Sequence, residues 1–122
     1  MVKIPKADRR PKKLAAYFFE TAAGAQPVRE WLLAMSDDDR MIVGDDIATA
    51  EFGWPAGMPV CRPMGGGLFE LRSGLTGNRI ARVLFCTTKE HLVLLHGLEK
   101  KTRKMPASDL VLAKKRMKEI EQ

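Results

Sequence analysis

The chain has little that would anchor, staple or metallate it. Its 122 residues include two cysteines, Cys61 and Cys86. They lack CxxC spacing, so disulfide and zinc frameworks find no support; both are expected as ordinary thiols, with Cys86 in a strand. Apolar runs last only a handful of residues, far short of the roughly 20 that cross a bilayer. The opening MVKIPKADRR has no apolar segment of the signal-peptide kind, so the expectation is a cytoplasmic protein that makes no membrane contact. Gly65, Gly66 and Gly67 form a glycine triplet, but no Walker lysine follows and no helix opens there. The signal for a phosphate cradle is therefore weak, and the expectation is a flexible turn leading into a strand.

What is present is charge, unevenly spread. Length and a 45% hydrophobic content fit one domain over residues 1–122 with a core of adequate size, preceded by a basic arm over about residues 1–13. That arm carries six Lys or Arg and one Asp; residues 14–61 carry two basic and eight acidic groups; residues 62–122 carry thirteen basic and six acidic. The basic C-terminal half is the footprint expected for a polyanion, whose binding is driven by phosphate neutralisation and counterion release. A solvated basic surface is the plain alternative.

Periodicity places these charges on elements. Leu14–Glu20 (LAAYFFE) reads as a first strand. Pro27 suits a first helical turn, and Val28, Trp31, Leu32 and Met35 follow at helical spacing, giving a short helix to about residue 35. Ser36 reads as the cap of a second helix, whose aspartates 37 to 39 meet the positive end of the dipole. Val43, Ile47 and Ala50 continue its apolar stripe until Gly53, Trp54 and Pro55 stop it. A proline- and glycine-rich connection over 55–67 includes a short strand around Val60–Met64. Pro106 then opens a last helix with a stripe of Leu110, Ala113, Met117 and Ile120, exposing Lys114, Lys115 and Lys118.

Between Gly67 and Lys104 the period becomes alternating, and arginines stand inside the strands. A charged side chain taken out of water needs a partner or an anionic ligand. Phe69 and Leu71 point one way, Glu70 and Arg72 the other. After a Ser73–Asn78 hairpin connection, Ala81, Val83 and Phe85 share a face and Arg82 falls opposite. Arg72 and Arg82 therefore emerge together, on the polar side of a sheet whose other side is apolar. Arg79 starts on the apolar side unless a bulge or the hairpin turns it. The run HLVLLH reads as a central strand in which strict alternation groups His96 with Leu92 and Leu94. Lys100, Lys101, Arg103 and Lys104 follow in a loop. Glu70 has a plain reading as ion-pair partner of Arg72 or Arg82, His96 as a structural histidine, and the lysines as a solvated loop.

The order of Glu70-Leu71-Arg72, the run Arg79 to Phe85, Leu95-His96-Gly97, Lys100-Lys101-Thr102 and Pro106 resembles the RelE/ParE superfamily of type II toxins, in its HigB-like, phage-derived branch. The likeness is close over about the last 55 residues. It implies an α+β fold: a curved antiparallel sheet with two N-terminal helices packed on it and a C-terminal helix, the helices on one side. It further implies a ribosome-dependent, metal-independent endoribonuclease without a cofactor, which cuts mRNA in the ribosomal A site and inhibits translation. A cognate helix-turn-helix antitoxin, in a toxin–antitoxin hetero-oligomer, is the implied partner. The other classes are a ParE-like DNA gyrase inhibitor and a non-catalytic regulatory partner.

The implied catalytic set is Arg82, His96 and Lys100, with Arg72, Arg79, Lys101, Arg103 and Lys104 on RNA phosphates. Cleavage by the 2'-hydroxyl needs a base, charge stabilisation at phosphorus and an acid for the departing 5'-oxygen. Arginines supply bidentate donors to the phosphate. An imidazole near its ordinary pKa of about 6.5 serves as acid or base at neutral pH, with Lys100 or Lys101 the substitute base. Tyr17 is the chain's one tyrosine and lies early, so the C-terminal catalytic tyrosine of some relatives has no counterpart.

Overall fold

Alternation in the C-terminal half becomes a five-stranded mixed sheet in the computed structural model, which describes residues 13–55, 61–99 and 104–120. Its strands are β1 (Ala15–Phe18), β2 (Cys61–Gly65), β3 (Leu68–Leu75), β4 (Arg79–Thr87) and β5 (His91–Glu99), in the order β1-β5-β4-β3-β2. The helices are α1 (Pro27–Leu33), α2 (Asp37–Gly53) and α3 (Ala107–Ile120). Neighbours β2 to β5 run antiparallel. β1 instead joins the edge of β5 in parallel, because the chain crosses two helices and three strands before it returns. The antiparallel sheet expected from the sequence is present in β2 to β5, with one parallel pair added at its edge. Among the described residues no helix is long and apolar enough to cross a membrane.

Local chemistry accounts for the elements. Pro27 occupies the first turn of α1, where a missing N–H costs nothing. The Ser36 hydroxyl accepts from Asp39 N at the start of α2. Trp54 ends that helix in an extended conformation, its indole edge-on to Phe69 at 4.8 Å and to Phe85 at 5.5 Å. β3 runs on to Leu75, so only Thr76–Asn78 makes the hairpin connection. There Gly77 and Asn78 hold positive φ, a conformation these two residue types tolerate. The glycine triplet turns β2 into β3 with all three φ angles positive.

Both sheet faces are covered, which departs from the expectation of one apolar and one polar side. The first core gathers Val28, Leu32, Val43 and Ile47 from α1 and α2 onto Leu71, Val83, Phe85, Leu92 and Leu94. The second sets Ala113, Leu110, Met117 and Ile120 of α3 against Leu68, Leu84, Cys86, Val93 and Leu95. The α3 stripe is as the spacing predicts, with Lys114, Lys115 and Lys118 exposed. The helices thus lie on opposite sides, α1 and α2 on one face and α3 on the other. Arg72, Arg82 and Glu70 belong to the α3 face.

Candidate functional site: a basic sheet face under the C-terminal helix

One irregularity of β5 decides what meets what. Leu84 pairs with His96 while its neighbour Phe85 pairs with Leu94, so Leu95 is an extra residue, a β-bulge. Such an insertion shifts the side chains beyond it to the other face. His96 therefore leaves the side of Leu92 and Leu94, correcting the strict alternation. It joins the α3 face in a row of directly paired residues, Arg62, Glu70, Leu84 and His96, across four strands. The adjacent row is Arg72, Arg82 and Leu98.

Two clusters occupy these rows. At one end His96 Nε2 lies 2.6 Å from Asp109 Oδ1, with both side chains about one-sixth exposed. Asp109 sits in the first turn of α3. A carboxylate on one ring nitrogen fixes the ring's orientation and leaves Nδ1 as the other functional atom. At the other end Glu70, fully buried, takes three arginines. Arg62 Nε donates to its Oε1 at 3.0 Å, Arg72 Nε stands at 3.8 Å from the same atom, and Arg82 Nε at 3.6 Å from Oε2. Arg62 is half exposed, Arg72 one-third, and Arg82 not at all. The clusters stand two strand spacings apart, about 10 Å.

The residues expected from the sequence are thus partly assembled. Arg72, Arg82 and His96 share a face, and Lys104 is exposed just before α3. Lys100, Lys101 and Arg103 lie outside the described residues. Arg79 is on the opposite face, where its Nη groups donate to Asp39 at 2.9 and 3.1 Å and to Glu99 at 3.3 Å. Those bonds raise the Arg79 pKa, that from Asp39 most, and lower that of Asp39. This arginine braces β4 to α2. Arg82 is an interior ion-pair member, fully buried beside Glu70, a depth that alternation alone left open. Cys61 and Cys86 both stand as thiols outside any disulfide, and burial pushes the Cys61 thiol up to about 11, consistent with an inert residue.

Sequence reasoning missed two participants. Arg62 stood in a stretch read mainly as an irregular connection; as an arginine in a strand facing Glu70 it carried a signal. Asp109 was passed over beside the apolar stripe, although Asp109, Ala113 and Arg116 fall at i, i+4 and i+7 on one helix face.

The family comparison bears on this arrangement. Residues 30–118 match the family model described as phage-derived protein Gp49-like (DUF891). The chain belongs to that family. Gp49-like proteins are RelE- and toxin-like, and the present fold, with its mixed sheet and C-terminal helix, is consistent with a RelE-like one. Among curated proteins no match is found. In this Gp49-like protein the matched span includes both clusters, whereas β1 precedes it.

Proposed function

We propose that this Gp49-like protein is the toxin of a type II toxin–antitoxin pair, of the HigB-like branch. It acts as a metal-independent endoribonuclease on mRNA in the ribosomal A site. The observation carrying this reading is the bulge at Leu95, which turns His96 onto the face that holds Arg62, Arg72 and Arg82. An acid–base group and phosphate-binding donors then line one surface, the combination that 2'-hydroxyl chemistry requires.

In the proposed reaction the RNA 2'-oxygen attacks the adjacent phosphorus and the bond from phosphorus to the 5'-oxygen breaks. A base takes the 2'-hydroxyl proton and an acid protonates the departing 5'-oxygen. The products are a cyclic phosphate end and a 5'-hydroxyl end. His96, oriented by Asp109, moves one of these protons, and Lys100 is the proposed group for the other. Arg72 donates to the phosphate as negative charge grows on its oxygens. Arg82 holds the floor of the site through Glu70. The partner proposed for silencing is a helix-turn-helix antitoxin that covers this basic face.

Primer extension on messages with and without translating ribosomes tests the reading. Wild-type protein is expected to cut only translated messages, and His96→Ala to lower the rate by about 10² to 10⁴, the usual worth of acid–base transfer. Arg72→Ala is the better arginine variant. Arg82→Ala would empty a fully buried position and remove one of the cations beside Glu70, confusing folding with activity. Undiminished cleavage by folded His96→Ala removes His96 from the chemistry. Uncut messages together with accumulating gyrase–DNA cleavage complexes overturn the nuclease in favour of a ParE-like inhibitor.

A further inference from the structure

We propose that Glu70 is the positioning residue of a phosphate clamp whose gripping ends are the Nη groups of Arg62 and Arg72. Its ligand is the phosphodiester backbone of single-stranded RNA. This deepens the RNA-cleaving reading and rests on it for the identity of the polyanion. It adds a second-strand arginine, Arg62, and a buried carboxylate to the site.

Three observations support it. Each of the three arginines reaches Glu70 through Nε, the side of the guanidinium away from its Nη1–Nη2 fork. The Nη groups of Arg62 and Arg72 donate to no described residue, as Arg62's one hydrogen bond is from Nε and Arg72 makes none. The forks most suited to a phosphate are therefore available while the stems are held. Second, Glu70 is fully buried whereas Arg62 is half and Arg72 one-third exposed. An arriving phosphate meets two cations and is screened from the carboxylate that aligns them. Third, Arg62 pairs directly with Glu70 across β2 and β3, and Arg72 follows Glu70 by two residues on the same face. The two arginines are thus diagonal neighbours, about 7–8 Å apart along the strands, close enough to serve one phosphate or two successive ones.

The charge balance points the same way. One carboxylate faces three guanidinium groups, and no other acid of the described residues contacts Arg62 or Arg72. An ion pair present only for stability needs one partner for Glu70. Two further arginines, left partly in solvent, leave positive charge that an anion can use. The remaining oxygen, Oε2, makes no hydrogen bond, so the carboxylate is not saturated by its partners.

Fluorescence anisotropy with a labelled single-stranded RNA oligonucleotide, titrated at stepped KCl concentrations, tests the clamp without requiring cleavage. Arg62→Ala and Arg72→Ala are each expected to reduce the salt slope of log K by about 0.7, one phosphate contact on a single strand. Arg29→Ala, on the exposed side of α1 across the sheet, is expected to leave it unchanged. Glu70→Gln separates positioning from bulk charge. Removing an anion should tighten RNA binding if only net charge matters, and should weaken it if the carboxylate aligns the forks. Should that variant melt too low to assay, Arg62→Lys decides: the clamp predicts an unchanged slope with several-fold weaker binding.

An unchanged slope in Arg62→Ala, tighter binding by Glu70→Gln, full affinity in Arg62→Lys, or wild-type protein without salt-dependent RNA binding overturns the clamp. Ribosome-dependent cleavage beside unchanged slopes overturns it alone and spares the nuclease. The expected slopes with no cleavage of translated messages remove the nuclease and leave the clamp.

Discussion

Gly97 follows His96 and has a different reason for being what it is. It pairs with Val83 on the face that carries α1, where a Cβ would overlap the six-membered ring of Trp31. Its φ is not positive, so the need is for room and not for backbone freedom. Gly97→Ala is expected to destabilise the protein by about 1–3 kcal/mol, the usual cost of overpacking, readable in a denaturant titration. Asp39 makes a complementary prediction. The Arg79 hydrogen bond holds its carboxyl below the ordinary 3.8, helped by the Arg79 charge and the Ser36 hydroxyl and opposed by burial. A depressed folded-state pKa contributes stability that is fully present above the unfolded value, near 3.8, and lost as pH falls through the folded one. Asp39→Asn should therefore lower the melting temperature at pH 6. The gap from wild type should narrow as pH drops below about 4 and the natural carboxyl itself becomes neutral.

Among the elements, β5 carries the most consequence. Its bulge frees the Leu95 carbonyl, and Arg116 of α3 donates to that oxygen at 2.7 Å while its guanidinium lies 5.6 Å from the centre of the Phe19 ring. With His96 and Asp109 this gives α3 two polar ties to the irregular strand. Arg116→Met keeps the apolar length and removes the tie. A hydrogen bond from a charged donor is worth about 1.5–3 kcal/mol, so amides of α3 should exchange about tenfold faster or more, those of β3 and β4 keeping their protection. The elements themselves were largely legible: the α3 stripe, the Ser36 cap and the alternation of β3 and β4 each follow from spacing or cap chemistry. The bulge was not. In HLVLLHG an unbroken apolar run gives every register the same burial, so nothing local marks Leu95 as the inserted residue.

At the scale of the whole molecule, the charge asymmetry of the sequence maps onto the two sides of the sheet. The acidic first turn of α2 is on one side, with Asp39 spent on Arg79, and the arginine cluster and His96 are on the other. Alternation told which face Arg72 and Arg82 share, and that was correct. It was silent on depth: Arg82 is fully buried beside Glu70, and such burial is set by long-range packing with no counterpart in the strand's own residues. The helix face of Asp109 was legible from spacing but its partner was not, since its meeting with His96 requires both the bulge and the return of α3.

Trp31 has a further consequence. The two tryptophans of the chain both lie on the side of the sheet away from the candidate site, Trp31 behind Gly97 and Trp54 against Phe69 and Phe85. One backs the strand that bears His96, and the other backs the hairpin that bears Glu70, Arg72 and Arg82. The protein thus carries two intrinsic optical gauges, neither touching the surface where a ligand is proposed to bind. With Trp31→Phe or Trp54→Phe silencing one at a time, emission from the other reports separately on the two halves of the site.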